Sequence, residues 1–197
     1  VYVAKTGNDS NAGTDPAAPK LTLQSASDAV DGTSAPRIIT ILDSGTYNEA
    51  LHVNVGGGYG VDITIQADTG QTPIIDGNGV TGNGGIRNGP LNDGSSSPST
   101  TTIIGIRFKR WGSAANYGVF RADYGTGDDK IYKATDCVFE DNGLIIRNPG
   151  GTSTNPTEFN RCKVINPDGP VIDPNYAGDT IVLQLEPTQS ITASSRI

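Results

Sequence analysis

The sequence predicts an all-β protein that folds as a solenoid, and three observations lead to this class. The composition is rich in turn formers, with 26 Gly and 12 Pro, and contains no Met. Its apolar runs consist mainly of Val, Ile and Thr, which favour strands over helices. A short strand pattern also recurs along the chain at intervals typical of stacked coils.

The recurring pattern is clearest around the two cysteines. Residues 134–142 and 157–166 carry the same arrangement, with Cys137 and Cys162 offset by 25 residues, and residues 104–108 fit the same frame at an offset of 31. A coil of this kind cannot bury its apolar face alone, so neighbouring coils must stack. Because side chains alternate along a strand, the aligned segments predict two inward columns: Ile106 over Cys137 over Cys162, and Phe108 over Phe139 over Val164.

Both cysteines are therefore predicted to be buried thiols that stack on adjacent coils. Adjacent strands lie about 4.8 Å apart, which permits a disulfide, but parallel side-chain directions are poor bonding geometry. The disulfide remains the alternative. Two Cys and one His supply too few soft ligands for a metal site, so no metal is predicted.

Residues 1–36 are predicted to cap the N-terminal end of the solenoid. A short strand near Tyr2 leads into a turn, and Leu23, Ala26 and Val30 have helical spacing. An amphipathic helix at this point would cover the first coil. The segment 9–13 looks faintly like a calcium loop but lacks its spacing, and side-chain caps in a tight turn are the favoured interpretation.

Residues 37–186 are predicted to form the coils of a single domain that spans residues 1–197. Strands are expected at 37–42, 51–55, 61–65, 171–173 and 180–186, with a turn at Gly45–Tyr47. The Gly- and Ser-rich stretch 77–101 is predicted to be a long loop. Residues 187–197 form a polar tail with no evident cap, so the last coil is expected to need a partner.

The N-terminal half also resembles a known group of proteins. The segments that carry the resemblance are Tyr2-Val3-Ala4, Gly7-Asn8-Asp9-Ser10-Asn11, Leu21-Thr22-Leu23-Gln24 and Gly45-Thr46-Tyr47-Asn48-Glu49. Together they resemble the opening of right-handed parallel β-helix proteins of the pectate-lyase-like superfamily. The resemblance covers residues 1–80 and implies a right-handed parallel β-helix. The chain itself supports about five or six coils, so the predicted β-helix is short. It does not imply one function, because this opening serves enzymes, adhesins and viral spikes alike.

Charge and hydropathy narrow the range of partners. The net charge is −7 and the isoelectric point is near 4.5. No dense basic field is available to displace counterions from a nucleic acid, so no nucleic-acid partner is predicted. No run of 18 apolar residues is present, so no membrane insertion is predicted. The chain opens with Val1 and shows no signal peptide, so either a start Met or a leader is expected to have been removed.

A cluster of basic and aromatic residues in 107–133 is the first candidate site. Aromatic rings stack on sugar faces and Arg pairs with carboxylates, so such a cluster suits an acidic glycan. The alternative is the solvated exterior of a strand. The predicted glycan-binding residues are Trp111, Arg110, Tyr117, Arg121 and Tyr124.

The resemblance to the pectate-lyase-like superfamily implies a second candidate site. Polysaccharide lyases of that superfamily place calcium-binding carboxylates and a basic residue on the outer face of one parallel sheet. In this chain the corresponding catalytic candidates are Arg107, Lys163 and Asp136, with Ca²⁺ as cofactor. However, Asp136 is expected to stack on Arg161 and Glu140 on Lys109, as complementary surface pairs. The leading prediction therefore has no catalytic residues and no cofactor.

The leading functional hypothesis is a non-enzymatic structural or adhesive protein of a virion surface or an extracellular setting. A capsid decoration, head fibre or spike component fits an acidic solenoid with an open end. The expected partners are other protein subunits, in a homo-oligomer or on a virion scaffold, with contacts at 181–197. Acidic cell-surface polysaccharide is a further candidate partner. The alternatives are a lyase or other carbohydrate-active enzyme acting on acidic glycans, and a secreted glycan-binding module.

Overall fold

The structure is a computed structural model, and the part of the chain that it describes is mostly β with one short helix, α1 (Leu23–Val30). It describes residues 1–31, 36–53, 62–81, 84–88, 99–112, 118–122, 130–143, 145–147, 157–167 and 181–185. The strands are β1 (Tyr2–Val3), β2 (Arg37–Ile41), β3 (Thr46–Tyr47), β4 (Leu51–Val53), β5 (Ile63–Ala67), β6 (Ile74–Asp76), β7 (Ile86–Asn88), β8 (Ser99–Ile104), β9 (Arg107–Lys109), β10 (Phe120–Ala122), β11 (Lys130–Thr135), β12 (Val138–Glu140), β13 (Ile146–Arg147), β14 (Thr157–Ile165) and β15 (Ile181–Leu185).

The strands are arranged in three parallel ladders. The first ladder runs β1-β2-β5-β8-β11-β14-β15, the second runs β3-β6-β9-β12-β14, and the third runs β4-β7-β10-β13. Strand β14 is long enough to pair in both of the first two ladders, which joins them into one open sheet. From β2 to β13, successive strands along the chain belong to the first, second and third ladder in turn, and this order repeats; one such repeat is called a visit to the three ladders. Each strand therefore pairs with the strands of the same ladder from the preceding and the following visit. The predicted all-β class with parallel pairing is confirmed.

The predicted register is confirmed in the second ladder. Phe139 aligns with Phe108 on one side and with Val164 on the other. The offsets of 31 and 25 residues read from the sequence are therefore correct. Phe108 and Phe139 are buried, as their inward assignment requires.

The predicted N-terminal helix is confirmed, and its capping ties it to the sheet. Thr22 is the N-cap, and its hydroxyl accepts a hydrogen bond from the Ser25 N–H at 3.2 Å. The Glu49 carboxylate accepts from the first helical N–H groups, those of Leu23 and Gln24, at 3.1 and 3.2 Å. These bonds satisfy backbone donors that a helix leaves unpaired at its start. The apolar side of the helix is buried through Leu23, Ala26 and Val30.

Two local predictions are wrong. The stretch 77–101 is not a continuous loop, because it contains β7 and the start of β8. In the sequence, the segment of β7 contains a single apolar residue, Ile86, between Gly85 and Arg87, which is too short an alternation to recognise. The predicted turn at Gly45–Tyr47 contains β3, where Tyr47 is buried and pairs in register with Ile75.

The sharp corners of the sheet are formed by residues with left-handed backbone conformation. At the corner before the second ladder, Gly105, Asp136 and Arg161 have φ of 71°, 55° and 50°. This conformation disfavours most side chains, so its repetition at aligned positions reflects the geometry of the corner. The residues of predicted strand 171–173 and tail 187–197 lie outside the described residues. Within the described ranges, no helix is long and apolar enough to cross a membrane.

Candidate functional site

The outer side of the second ladder gathers many of the charged residues that the sequence analysis singled out. Alternate side chains of these strands point outward, and register places Arg107 and Lys163 on either side of Val138 in one outward column. The charged face is this outer side together with its flanking corners. It consists of Asp76, Arg107, Lys109, Arg110, Asp136, Glu140, Asp141, Arg161 and Lys163.

Most charges on the charged face are paired between neighbouring strands. Lys109 Nζ lies 3.1 Å from Glu140 Oε1 and 3.7 Å from Asp141 Oδ2. Arg107 Nη1 lies 3.6 Å from Glu140 Oε2. The predicted pair of Lys109 and Glu140 is therefore confirmed. These contacts join residues of β9 to β12 and the corner after it, so they hold successive strands together.

The Arg110 and Asp76 pair has one buried member. The Asp76 side chain is only 3% exposed, whereas that of Arg110 is 46% exposed. Arg110 Nε donates to Asp76 Oδ1 at 3.0 Å, and Nη2 donates to Oδ2. Bidentate pairing of this kind compensates a buried carboxylate for lost water.

The pair of Asp136 and Arg161 is bidentate and solvent-facing, as predicted. Arg161 Nε and Nη2 donate to the two Asp136 carboxylate oxygens at 2.7 and 2.6 Å. Both side chains are about half exposed, at 49% and 56%. The hydrogen bonds from Arg161 lower the pKa of the Asp136 carboxyl below its usual value.

The structure does not bring the three lyase candidates around one point. Arg107 and Lys163 are separated by two strand spacings, about 9.6 Å, with Val138 between them. Asp136 lies at the preceding corner and is engaged by Arg161. Among the residues that the structure describes, no group of three or more His, Cys, Asp or Glu side chains could hold a metal ion.

Trp111 is a core residue, which corrects its assignment as a sugar-stacking ring. It is 1% exposed, and its indole Nε1 donates to the Ile75 carbonyl at 3.0 Å. The ring packs so closely that a Cβ added to Gly77 would lie 2.8 Å from its Cδ2, and one added to Gly85 would lie 3.1 Å from its Cε2. A ring enclosed in this way has no face to offer to a ligand.

The two other predicted glycan-binding residues that the structure describes, Arg110 and Arg121, lie in different parts of the sheet arrangement. Arg110 lies on the charged face, whereas Arg121 is half-buried in β10 of the third ladder. Tyr117 and Tyr124 lie outside the described residues. The structure brings together a set that the sequence analysis missed. In the third ladder one column contains His52, Arg87, Arg121 and Arg147.

The sequence contains a local pattern at each residue of this column, but the pattern does not reveal that the residues align. Each of its residues directly follows an apolar residue in the sequence, as Arg87 follows Ile86 and Arg121 follows Phe120. The alignment becomes visible only once β7 is recognised as a strand. The offsets along the column are unequal, so a search for one fixed period does not find it.

The two cysteines form the predicted stacked pair of thiols. Both are free and buried, which favours the thiol prediction over the disulfide alternative. Burial raises the pKa of the Cys137 thiol, whereas the hydrogen bond from Cys137 lowers the pKa of Cys162. Each thiol also has a backbone carbonyl as acceptor, with Cys137 Sγ 3.4 Å from the Thr135 oxygen and Cys162 Sγ 3.5 Å from the Ala134 oxygen.

The calcium-like segment at residues 9–13 is a turn built around a lysine, as the favoured interpretation predicted. Lys20 Nζ donates to the Asp9 and Asn11 carbonyls at 3.1 and 2.8 Å. The Asp9 carboxylate accepts from the Leu21 and Thr22 N–H groups, each at 2.9 Å. The carbonyls and the carboxylate are therefore satisfied by the chain itself.

These contacts define a mostly β protein with a long parallel sheet and a charged outer face. No protein-family model, no curated protein and no solved structure matches the chain. The functional proposal below rests on the ladders and on the pairing of the charged residues.

Proposed function

We propose that the chain is a right-handed parallel β-helix of about five or six coils. In this interpretation one visit to the three ladders is one coil. The strand order supports it, because each ladder pairs strands from successive visits. Crossovers between parallel strands are right-handed in nearly all proteins. The N-terminal resemblance to the pectate-lyase-like superfamily supports the same fold.

The function proposed for this β-helix is a non-enzymatic structural or adhesive role on a virion surface or in an extracellular setting. A capsid decoration, head fibre or spike component is the expected form. One observation carries the proposal: the charged face uses its carboxylates to bind Lys and Arg of neighbouring strands. Groups used in this way stabilise the stacking of coils, which is what a rigid surface protein requires.

The test is incubation of the full chain with polygalacturonate and with alginate, each with and without Ca²⁺. No release of unsaturated oligosaccharide is expected. Release that requires Arg107 would overturn the proposal and favour the lyase alternative with Arg107, Lys163 and Asp136. The matched control is Lys133→Ala, because Lys133 lies on the first ladder and is paired with Glu158 at 3.6 Å.

A second candidate function is binding of an acidic glycan by the third ladder. The specific observation is the column of His52, Arg87, Arg121 and Arg147 in register on neighbouring strands. Arg121 in this column is half-buried, and its guanidinium can pair with the carboxylate of an acidic sugar.

Affinity electrophoresis in polygalacturonate gels tests this second candidate. Retardation of the native chain that is reduced in Arg121→Gln and unchanged in Lys133→Gln is the expected result. Equal retardation of all three proteins, or none, would remove the third ladder as a glycan site. The structural role does not depend on this outcome.

A further inference from the structure

Charge is distributed unevenly along the chain, and this points to a self-association surface. Residues 1–81 contain nine acidic and three basic residues, whereas residues 99–167 contain seven acidic and nine basic residues. The first part of the chain is thus acidic, mainly through residues of its turns, corners and helix, and the later part is mildly basic. A protein with such polarity attracts a second copy in one relative orientation and repels it in others.

On the charged face, several basic groups are more exposed than the carboxylates that they bind. Five basic and four acidic residues form this face. Arg107 is 42% exposed and pairs with Glu140, which is 19% exposed, and Arg110 covers the buried Asp76. Lys163 is exposed and belongs to the same outward column as Arg107. These three cations are therefore accessible to an approaching molecule.

The acidic counterpart lies on the same side of the protein. Asp68 is exposed at the corner between β5 and β6, where its N–H donates to the Ile41 carbonyl at 2.9 Å. The residue before it, Ala67, aligns with Gly105, and thus with the corner column that continues to Asp136 and Arg161. Three strand spacings, about 14 Å, separate Asp68 from the strand of Arg161 and Lys163.

Other charged groups near this corner are already engaged. The Asp43 carboxylate accepts from the Lys5 N–H at 2.6 Å and from the Tyr47 hydroxyl at 2.9 Å. The Lys5 ammonium lies over the Tyr47 ring, 4.4 Å from its centroid. Asp136 at the same corner is half exposed but engaged by Arg161. Asp68 is exposed, and among the described residues it has no ion-pair partner, so it is the carboxylate that this corner offers to another molecule.

We infer that two copies of this chain associate side by side in antiparallel orientation through the corner before the second ladder. In this twofold dimer, Asp68 of each copy faces Lys163 of the other. In a twofold dimer each contact between two different residues occurs twice, once in each direction. Two opposite charges that lie apart on the same face can therefore both be paired. The inference deepens the proposed structural role by naming its partner, and it rests on that role.

Sedimentation velocity of the full chain, over a range of concentrations and at about 50 and about 500 mM salt, tests the inference. A dimer that dissociates at the higher salt is expected. Lys163→Glu and Asp68→Lys should each weaken the dimer about tenfold, because each reversal acts at both symmetric contacts. The double variant Asp68→Lys/Lys163→Glu should restore the dimer, since it exchanges the two charges.

The matched control is Lys133→Glu, which changes the net charge equally on the outer side of the first ladder and should leave the dimer intact. Circular dichroism melts establish that each variant is folded. A monomer at about 0.1 mM and low salt, an oligomer other than a dimer, an equal effect of Lys133→Glu, or no restoration in the double variant would each overturn the inference. The glycan-cleavage assay is independent of these results, so the proposed non-enzymatic role and the dimer can fail separately.

Discussion

The early and late strands of the same ladders are built differently. In residues 1–81 the described core is aliphatic apart from Tyr47, and helix α1 packs against its end. In residues 99–167 the described core also contains a cluster of aromatic rings, in which Phe120 contacts Phe108 at 5.2 Å and Tyr132 at 5.1 Å between ring centroids.

This difference shows two ways of filling the space between parallel ladders. Large rings from facing ladders meet directly, and Phe120 of the third ladder packs edge-on against Phe139 of the second at 5.8 Å. Smaller aliphatic residues leave more apolar surface of the early strands to be covered by another element. Helix α1 lies beside these strands, and Glu49 holds it there by accepting a hydrogen bond from the Leu23 N–H. The late strands therefore depend more on a few large residues than the early strands do.

The largest expected effect is the removal of the central ring. Phe120→Ala should lower the free energy of unfolding by about 3–5 kcal/mol, because it leaves a cavity among four aromatic neighbours. Urea unfolding followed by circular dichroism measures the loss. Ile65→Ala is the aliphatic comparison, with an expected loss of about 2–5 kcal/mol. A loss below about 1 kcal/mol for Phe120→Ala would contradict the aromatic core.

Substitution of either stacked thiol should give the next largest loss of stability. Cys137→Ser and Cys162→Ser should each destabilise by about 1–3 kcal/mol, because a buried hydroxyl is placed where a thiol packs. Urea titrations of both variants measure this effect. Rapid labelling of both native thiols by a bulky maleimide would show that the inward assignment is wrong, whereas labelling only after unfolding supports it.

One carboxyl group in the early part of the chain and one in the late part should change their contributions to stability in opposite directions as the pH falls. Burial raises the pKa of Glu49, so its contribution to stability is fully present below the unfolded value of about 4.5 and is lost as pH rises through the higher folded pKa. The pKa of Asp136 is lowered by Arg161, so its contribution is present above its unfolded value and is lost as pH falls through the folded pKa.

Melting curves between about pH 3 and pH 7 separate the two effects. Glu49→Gln should remove the gain in stability on moving from neutral pH towards the unfolded pKa of Glu49. Asp136→Asn should reduce the loss below about pH 4. The same pH profile for the native chain and Glu49→Gln would refute the role of that buried carboxylate.

The smallest expected effect concerns the exposed ion pair. Asp136→Asn at neutral pH should cost less than about 1 kcal/mol, because both partners are about half exposed and screened by water and salt. The loss should shrink further in about 1 M salt. A loss above about 2 kcal/mol at neutral pH would mean that this corner is more tightly coupled to the core than its exposure indicates.

Much of the fold could be predicted from local patterns. The recurrence around Cys137 and Cys162 established the register of the second ladder, because a shift by one residue would turn each inward side chain outward. The helical spacing of Leu23, Ala26 and Val30 located α1 within the N-terminal cap. The pairs of Asp136 with Arg161 and of Lys109 with Glu140 followed from the same alignment.

The candidate site was predicted less well, for a physical reason that Trp111 illustrates. Its neighbours in sequence are Arg110 and Gly112, so a local pattern indicates an exposed aromatic residue beside a cation. Its burial depends on Ile75, Gly77 and Gly85, which contact it from other strands.

The sequence by itself determined which side chains alternate inward and how the repeated segments align, because both depend on the short-range period of a strand. Only the tertiary structure decided that Arg87 and Arg121 share a column and that Asp68 lies on the same side as Lys163. These relations depend on where the chain turns between ladders. The turns differ in length from one visit to the next, so no fixed sequence spacing encodes them.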